Sequence, residues 1–425
     1  MAYSFLDISI KAEFEVENIY KLNSKSGVNE HTTLELECSL KKDEKLKELT
    51  RDDNNTNIKL ILNEDGKLLF NGTIKKILSF NRLGENILRI YAVGLSENLD
   101  RERKKRLFKG DSLKNKDIAE HIVSEHFGKL LSKNENDNSA YIALQYGESD
   151  WEFIKRIAAR EEKLIIPAEL TDRLRIYFGI PDIEVEIEYK EILISGTNSE
   201  GCITRKDRDR GYIINGKWHI FLSEENYGIG SIVNIYNEKY IIVEKEVEYI
   251  NGFLQFKYRV CKKDKIKALE KYNSKITGIL LDGTVKKCEA DELFVKFDIE
   301  SDISSNKVKL PWLPVTGNTM YCMPEEDTKV KVYFGDCDER KNVFVLESIS
   351  NGFVSERGII TKALRIMQLG DKGVNFKTKS SVKTSGKNID FSSSEKLLIL
   401  SEKDIKVKAE LMTLISKTDI EFIKK

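Results

Sequence analysis

The chain offers few groups that could do chemistry: four histidines, six cysteines, and carboxylates spread through all of its 425 residues. Only His121 and His126 stand close together, with Glu125 between them. A helical zinc pair needs imidazoles one turn apart at i and i+4, and these are at i and i+5. They are expected on different faces as solvated helix residues, so no metal ligand is assigned. No histidine follows His219, which removes a metal clip from the C-terminal end. The cysteines (Cys38, Cys202, Cys261, Cys288, Cys322 and Cys337) make no CxxC pair, which argues against zinc and against a disulfide framework. Glu148, Asp150 and Glu152 could be drawn as paired acids for glycoside cleavage, but Ser149 and Glu152 fit an S-x-x-E capping box, and acids at a helix start need no further role. Gly228-Ile229-Gly230 is too short for a dinucleotide fingerprint and lies between strands, as a turn would. The basic runs RERKKR (101–106) and RKDRDR (205–210) read as solvated surface or a subunit contact. No nucleophile, base and orienting group can be assembled, so no catalytic residue and no cofactor is assigned.

Composition sets the frame for these groups. Hydrophobic residues make up 40%, ordinary for a folded protein of two to four domains, and 70 Lys+Arg balance 70 Asp+Glu, so no net field recruits nucleic acid or an anionic membrane. The N-terminal stretch meets Asp7 before an apolar core of signal-peptide length develops, and no run is long enough to span a bilayer. Synthesis in a bacterial cytoplasm without a signal peptide is the expectation.

The elements that must position the motifs are mainly strands. Residues 1–108 alternate apolar and polar in runs such as LDISIKAEFEV and NILRIYAVG, with a Glu64-Asp65-Gly66 break, as an antiparallel barrel would. Residues 109–165 form a helical insert. Its first helix is capped by Asp111 or Ser112, has Ile118, Ile122, Val123 and Phe127 on one face, and stops at Gly128. Its second helix opens at Ser149 and buries Phe153, Ile154, Ile157 and Ala158. Residues 166–262 predict a second antiparallel barrel, 263–275 a charged helix-like linker, 276–349 a five-stranded OB-type barrel, and 350–371 a connector. Between residues 275 and 349 there are 10 Lys+Arg against 14 Asp+Glu, so this barrel would repel a phosphate backbone.

The last segment, 372–425, is a ladder. Val374, Val382, Ile389, Leu397, Ile405, Met412 and Ile420 recur every seven or eight residues, and Phe376, Phe391, Ile399, Val407, Leu414 and Phe422 follow two positions later in six of the seven rungs. Short strands followed by tight polar turns give a β-helix or prism, in which one chain buries only a thin edge. The expectation is an intertwined, obligate assembly of three chains with these residues at its core. Seven rungs at ~4.7 Å make a rod of about 30 Å, close to the thickness of a bilayer's hydrocarbon core.

The segment Gln145-Tyr146-x-Glu148-Ser149-Asp150-x-x-Phe153-x-x-Arg156 resembles the hub motif of VgrG proteins of type VI secretion and of related contractile-tail hub and spike proteins. FNGTIKKILSF and LRIYAVGLSENLDRERKKRLF are similar to the first hub barrel of that family, and LFVKFDI, LPWLPV and the stretch from Met323 to Gly352 are similar to its OB part, except that Glu326 stands where Gly is more usual. The resemblance implies two hub barrels, a helical insert, an OB barrel and a trimeric β-helical needle. It further implies a structural piercing role at the distal end of the inner tube of a contractile system, with a hexameric tube protein and baseplate components as partners and a target membrane met on firing. The ladder stops on Ile420, Phe422 and Ile423 without a tapering or metal-binding end, so a separate PAAR-like tip protein is expected to dock there. A phage tail, a phage-tail-like bacteriocin, an extracellular injection particle and a type VI system all stay open, and a β-solenoid adhesin or tail-fibre protein is the alternative.

Overall fold

The computed structural model describes residues 3–40, 56–63, 66–82, 85–133, 139–187, 191–199, 204–250, 252–305, 308–313, 323–349, 357–360, 366–370, 373–418 and 420–421. Glu64, Asp65, Cys202, Cys322, Phe422 and Ile423 lie outside them. Two compact units result, residues 1–351 and 352–425.

The first unit is mostly strand. Alternating apolar residues produce β1 (Ile8–Lys11), β2 (Val16–Gly27), β3 (Thr33–Leu40), β4 (Asn57–Leu62), β5 (Leu68–Arg82) and β6 (Glu85–Gly94). Next come β7 (Arg103–Lys114), helix α1 (Asn115–Glu125), β8 (Lys129–Ser132), β9 (Ser139–Ser149), helix α2 (Asp150–Ala159), β10 (Ile165–Pro167) and β11 (Arg175–Phe178). They are followed by β12 (Glu191–Asn198), the short helix α3 (Arg205–Arg210), β13 (Tyr212–Ile214), β14 (Gly216–Ser223), β15 (Ile232–Ile235), β16 (Glu238–Ile250), β17 (Phe253–Lys262) and β18 (Ile266–Ala268). The stretches expected as two separate barrels share one 11-stranded sheet, ordered β1-β4-β5-β6-β3-β2-β16-β17-β14-β12, with β15 on β16. The join is β2 against β16, antiparallel, with Gly27 opposite Glu244 and Asn23 opposite Glu248. Both strands are long enough to pair on two sides, so a single apolar core runs from Leu36 and Ile90 through to Val247 and Val260.

Three expectations for the insert and linker are corrected. Residues 103–114 form β7 paired with β9, so the first helix begins at Asn115 after Lys114 and not at Asp111 or Ser112. Ile118, Ile122 and Val123 are buried as expected, but Phe127 is 94% exposed. It occupies the left-handed position past the helix end (φ 55°), with the Phe127 N–H donating to Ser124 O and the Gly128 N–H to Val123 O. That is a Schellman ending with Phe where Gly is usual, and it turns the ring out of the core. The charged linker holds one 3₁₀ turn, Lys263–Lys265, and then β18, because Ile266 and Ala268 fill the alternating inward positions opposite β13.

The strands β7 and β9 form a shared wall. Successive side chains point to opposite faces. Phe108 and Ala143 pack with α1 and α2, while Leu107, Ile142 and Leu144 pack with a third core. That core belongs to β19 (Ile279–Glu289), β20 (Glu292–Phe297), β21 (Lys309–Pro311), β22 (Lys329–Phe334) and β23 (Val343–Ile349), ordered β21-β20-β19-β22-β23. A bridge between Trp312 and Val345 links the residue after β21 to β23.

In the second unit β24 (Arg357–Ile360), β25 (Ile366–Gly370) and β26 (Gly373–Lys377) form one antiparallel sheet. Seven rungs were expected as strands. Among the described residues only β26, which carries Val374 and Phe376, is one, and from 378 onward no strand forms. Val382, Ile389, Phe391, Leu397, Ile399, Ile405, Val407, Met412, Leu414 and Ile420 are all exposed. One copy supplies no neighbouring backbone for those N–H and C=O groups and no second apolar edge to cover those side chains.

Candidate functional site

The motif on β9 and α2 forms a buried charge cluster. Ser149 is the N-cap: Glu152 N donates to Ser149 Oγ (3.1 Å) and Ser149 N donates back to Glu152 Oε2 (3.1 Å), the expected capping box. Phe153 stacks on Phe108 at 5.8 Å between ring centres, which fixes the rotation of α2 against the wall. This puts Arg156, 2% exposed, over the start of the helix. Its Nε and one terminal nitrogen donate to the two oxygens of Glu148 (2.8 and 2.9 Å). The other terminal nitrogen donates to both oxygens of Glu339 (2.9 and 2.8 Å), and Leu144 O takes the remaining bond at 2.8 Å.

Glu339 belongs to the turn between β22 and β23. It is fully buried, also accepts from Arg160 and from the Leu144 N–H (3.1 Å), and so fastens α2 and β9 to the five-stranded sheet. Burial would raise its carboxyl, but Arg160 and Arg156 outweigh that and hold it below the usual range. Beside it Asp338, held by Arg340 against the opposing effect of burial, falls to about 2. Tyr146 is half-buried, with Lys105 Nζ 4.7 Å from its ring centre and its carbonyl accepting from Asn273 (3.0 Å).

Asp150 centres a second cluster. It is 1% exposed and accepts from His126 Nε2 (2.8 Å), Lys104 Nζ (2.8 Å), Gln145 Nε2 (2.9 Å) and Arg106 (2.6 Å). Burial pushes its carboxyl up, and these partners more than reverse that, leaving it well below the usual range. The capping role foreseen for these acids therefore covers Glu152 alone. His126 is not a solvated helix residue, and Lys104 and Arg106 of the basic run are not free surface. The second run is corrected too: α3 is capped by Thr204, its Asp207 is buried under Arg259 (2.8 Å), and Arg210 pairs with Glu30 and Glu244. Glu125, His126 and Asp150 bring ligand atoms within 4.8 Å of one another, the metal-capable group among the described residues.

Ser96, His31 and Asp100 resemble a hydrolase triad in their contacts: Ser96 Oγ lies 2.8 Å from His31 Nδ1, and His31 Nε2 lies 3.4 Å from Asp100. Ser96 is 3% exposed, and the cavity it borders measures about 20 Å³, room for a water at most. Asp100 also accepts from Ser149 Oγ, so the relay docks the end of the first strand group onto the N-terminus of α2. Neither Glu339, one acid among several in a turn, nor Asp100 carries a local sequence signal.

The 11-stranded sheet, the helical wall and the five-stranded sheet can be compared with solved structures. No protein-family model matches the sequence, and no curated protein matches it. The E. coli c3393 protein, a component of the type VI secretion system with structural similarity to the T4 bacteriophage tail proteins gp27 and gp5, is 11% identical with a TM-score of 0.58 over 80% of this chain and 100% of its own. Chains from structures of the Francisella PdpA-VgrG complex are similar as well: that of the half-lidded form is 10% identical with a TM-score of 0.52 over 88% of each chain, and that of the lidless form is 11% identical with a TM-score of 0.51 over 88% of this chain and 98% of its own. The chain has the fold of these tail and secretion proteins. More particularly, the fold is VgrG-like.

Proposed function

We propose that this protein is a structural hub and membrane-piercing spike at the distal end of the inner tube of a contractile injection system. It acts as a homotrimer and not as an enzyme, is built into a particle, and is delivered to a target envelope. The observation that carries this function is the likeness of fold to the secretion-system hubs, which extends over 80–88% of the chain. The ladder supports it. Twelve apolar side chains from Val374 to Ile420, at the spacing of successive rungs, stand exposed in one copy, and three wound copies would cover them. The five-stranded sheet, with third and fifth strands brought together at Trp312 and Val345, is assigned as a closed OB-type barrel. A hexameric tube protein and baseplate components are the partners of the hub, and a PAAR-like tip protein is the partner of the end carrying Ile420, Phe422 and Ile423. The buried acids are consistent with a mechanical role, since Glu148 and Glu339 are each held by arginines.

Light scattering on the full chain and on residues 1–371 tests the proposal. The full chain should run at three times its 48.9 kDa mass, and the truncated chain as a monomer or a loose assembly. A full chain that stays a monomer, with a globular outline in negative stain, overturns the spike and favours a surface-binding solenoid.

A further inference from the structure

We propose that the helical module carries a divalent-metal site of the zinc type, built by Glu125, His126 and Asp150. Sequence spacing excludes a two-histidine pair here, but the third ligand comes from another helix. Glu125 ends α1, His126 is its C-cap, and Asp150 begins α2. His126 Nε2 and Asp150 Oδ2 are 2.8 Å apart, and all three ligand atoms fall within 4.8 Å of one another. Bonds of about 2.0–2.2 Å to one ion would spread the His126–Asp150 pair slightly and keep every pair of ligand atoms within about 4.4 Å, a small adjustment of this arrangement. His121 Nε2 contacts Glu125 Oε1 at 3.2 Å from one turn behind, outside the group of three.

A cation already marks the position. Lys104 Nζ bridges Asp150 Oδ2 (2.8 Å) and Glu125 Oε2 (3.3 Å). Its side chain is 28% exposed and ends a flexible stem, so it can swing to solvent when a divalent ion takes its place. Arg106 does not have to move. It bonds Asp150 Oδ1, which Gln145 Nε2 also occupies, and both oxygens of Glu125, while the departure of Lys104 frees a lone pair on Asp150 Oδ2 and on Glu125 Oε2 for a metal. It would serve as the outer hydrogen-bond partner that holds ligating carboxylates in place. Its positive charge nearby keeps the site weaker than a structural zinc centre. Binding would fasten the C-terminal end of α1 to the N-terminal end of α2.

The test uses the tag-free full chain, stripped with a chelator and titrated with Co(II), whose visible absorption reports ligation by nitrogen and oxygen. One Co(II) per chain is expected, displaced by Zn(II) and lost in His126→Gln and Asp150→Asn. Because Asp150→Asn could loosen the helices, Lys104→Met is the decisive variant: it removes no ligand, only the competing ammonium, and should tighten binding roughly tenfold or more. Absence of binding in both the native chain and Lys104→Met, unchanged affinity in Lys104→Met, or a band that persists in His126→Gln overturns the site.

Discussion

Replacing Glu339 with Leu tests whether the motif helix is clamped to the five-stranded sheet by charge. The carboxylate is fully buried and accepts from Arg156, Arg160 and the Leu144 amide. Its removal leaves Arg160, whose side chain is 4% exposed, facing an apolar group, while Arg156 retains its two bonds to Glu148. Removing one partner of a buried pair costs about 3–5 kcal/mol, most of it from the charge left behind. At roughly 2 °C per kcal/mol for a large domain, the melting temperature should drop by about 6–10 °C. Differential scanning fluorimetry reads that shift, and hydrogen exchange locates it: the Leu144 amide should lose protection together with β22 and β23. Adding Arg160→Met should restore part of the loss, because the orphaned guanidinium is removed with its partner. A shift below about 1 °C, or an unprotected Leu144 amide in the native chain, would refute a clamp at Glu339.

Three further outcomes can be checked. Asp338 has its carboxyl lowered to about 2, so the stability it adds is present above the ordinary Asp range and is lost as pH falls toward 2; the native chain should therefore lose more stability than Asp338→Asn in urea melts between about pH 4 and pH 2. In Gly72→Ala the new Cβ would collide with the Val93 backbone carbonyl across the β5–β6 pair, which cannot yield without shifting the sheet, and the melting curve should show a destabilisation of about 1–3 kcal/mol. Val407→Asp would bring three carboxylates into one narrow core at several kcal/mol each, so light scattering should report loss of the trimer, and an unaltered trimer would mean that Val407 faces solvent.

The sequence alone determined what short-range physics controls. Period-two alternation marked the strands, and Ser149 with Glu152 marked the start of α2, because a cap needs only neighbours along the chain. The apolar beat from Val374 to Ile420 marked a segment that cannot cover itself, and all of those residues are exposed in one copy. Tertiary structure decided whatever depends on residues far apart in the chain. Alternation cannot say which edge meets which, so the joining of β2 to β16 was not legible. Neither were the partners of the charged residues, since Coulomb attraction and burial act between groups that happen to be folded together. Arg156 meets Glu339 across 183 positions, and His126 meets Asp150 across 24. Short-range rules found the motif helix; only folding revealed that its acids and arginines are a clamp.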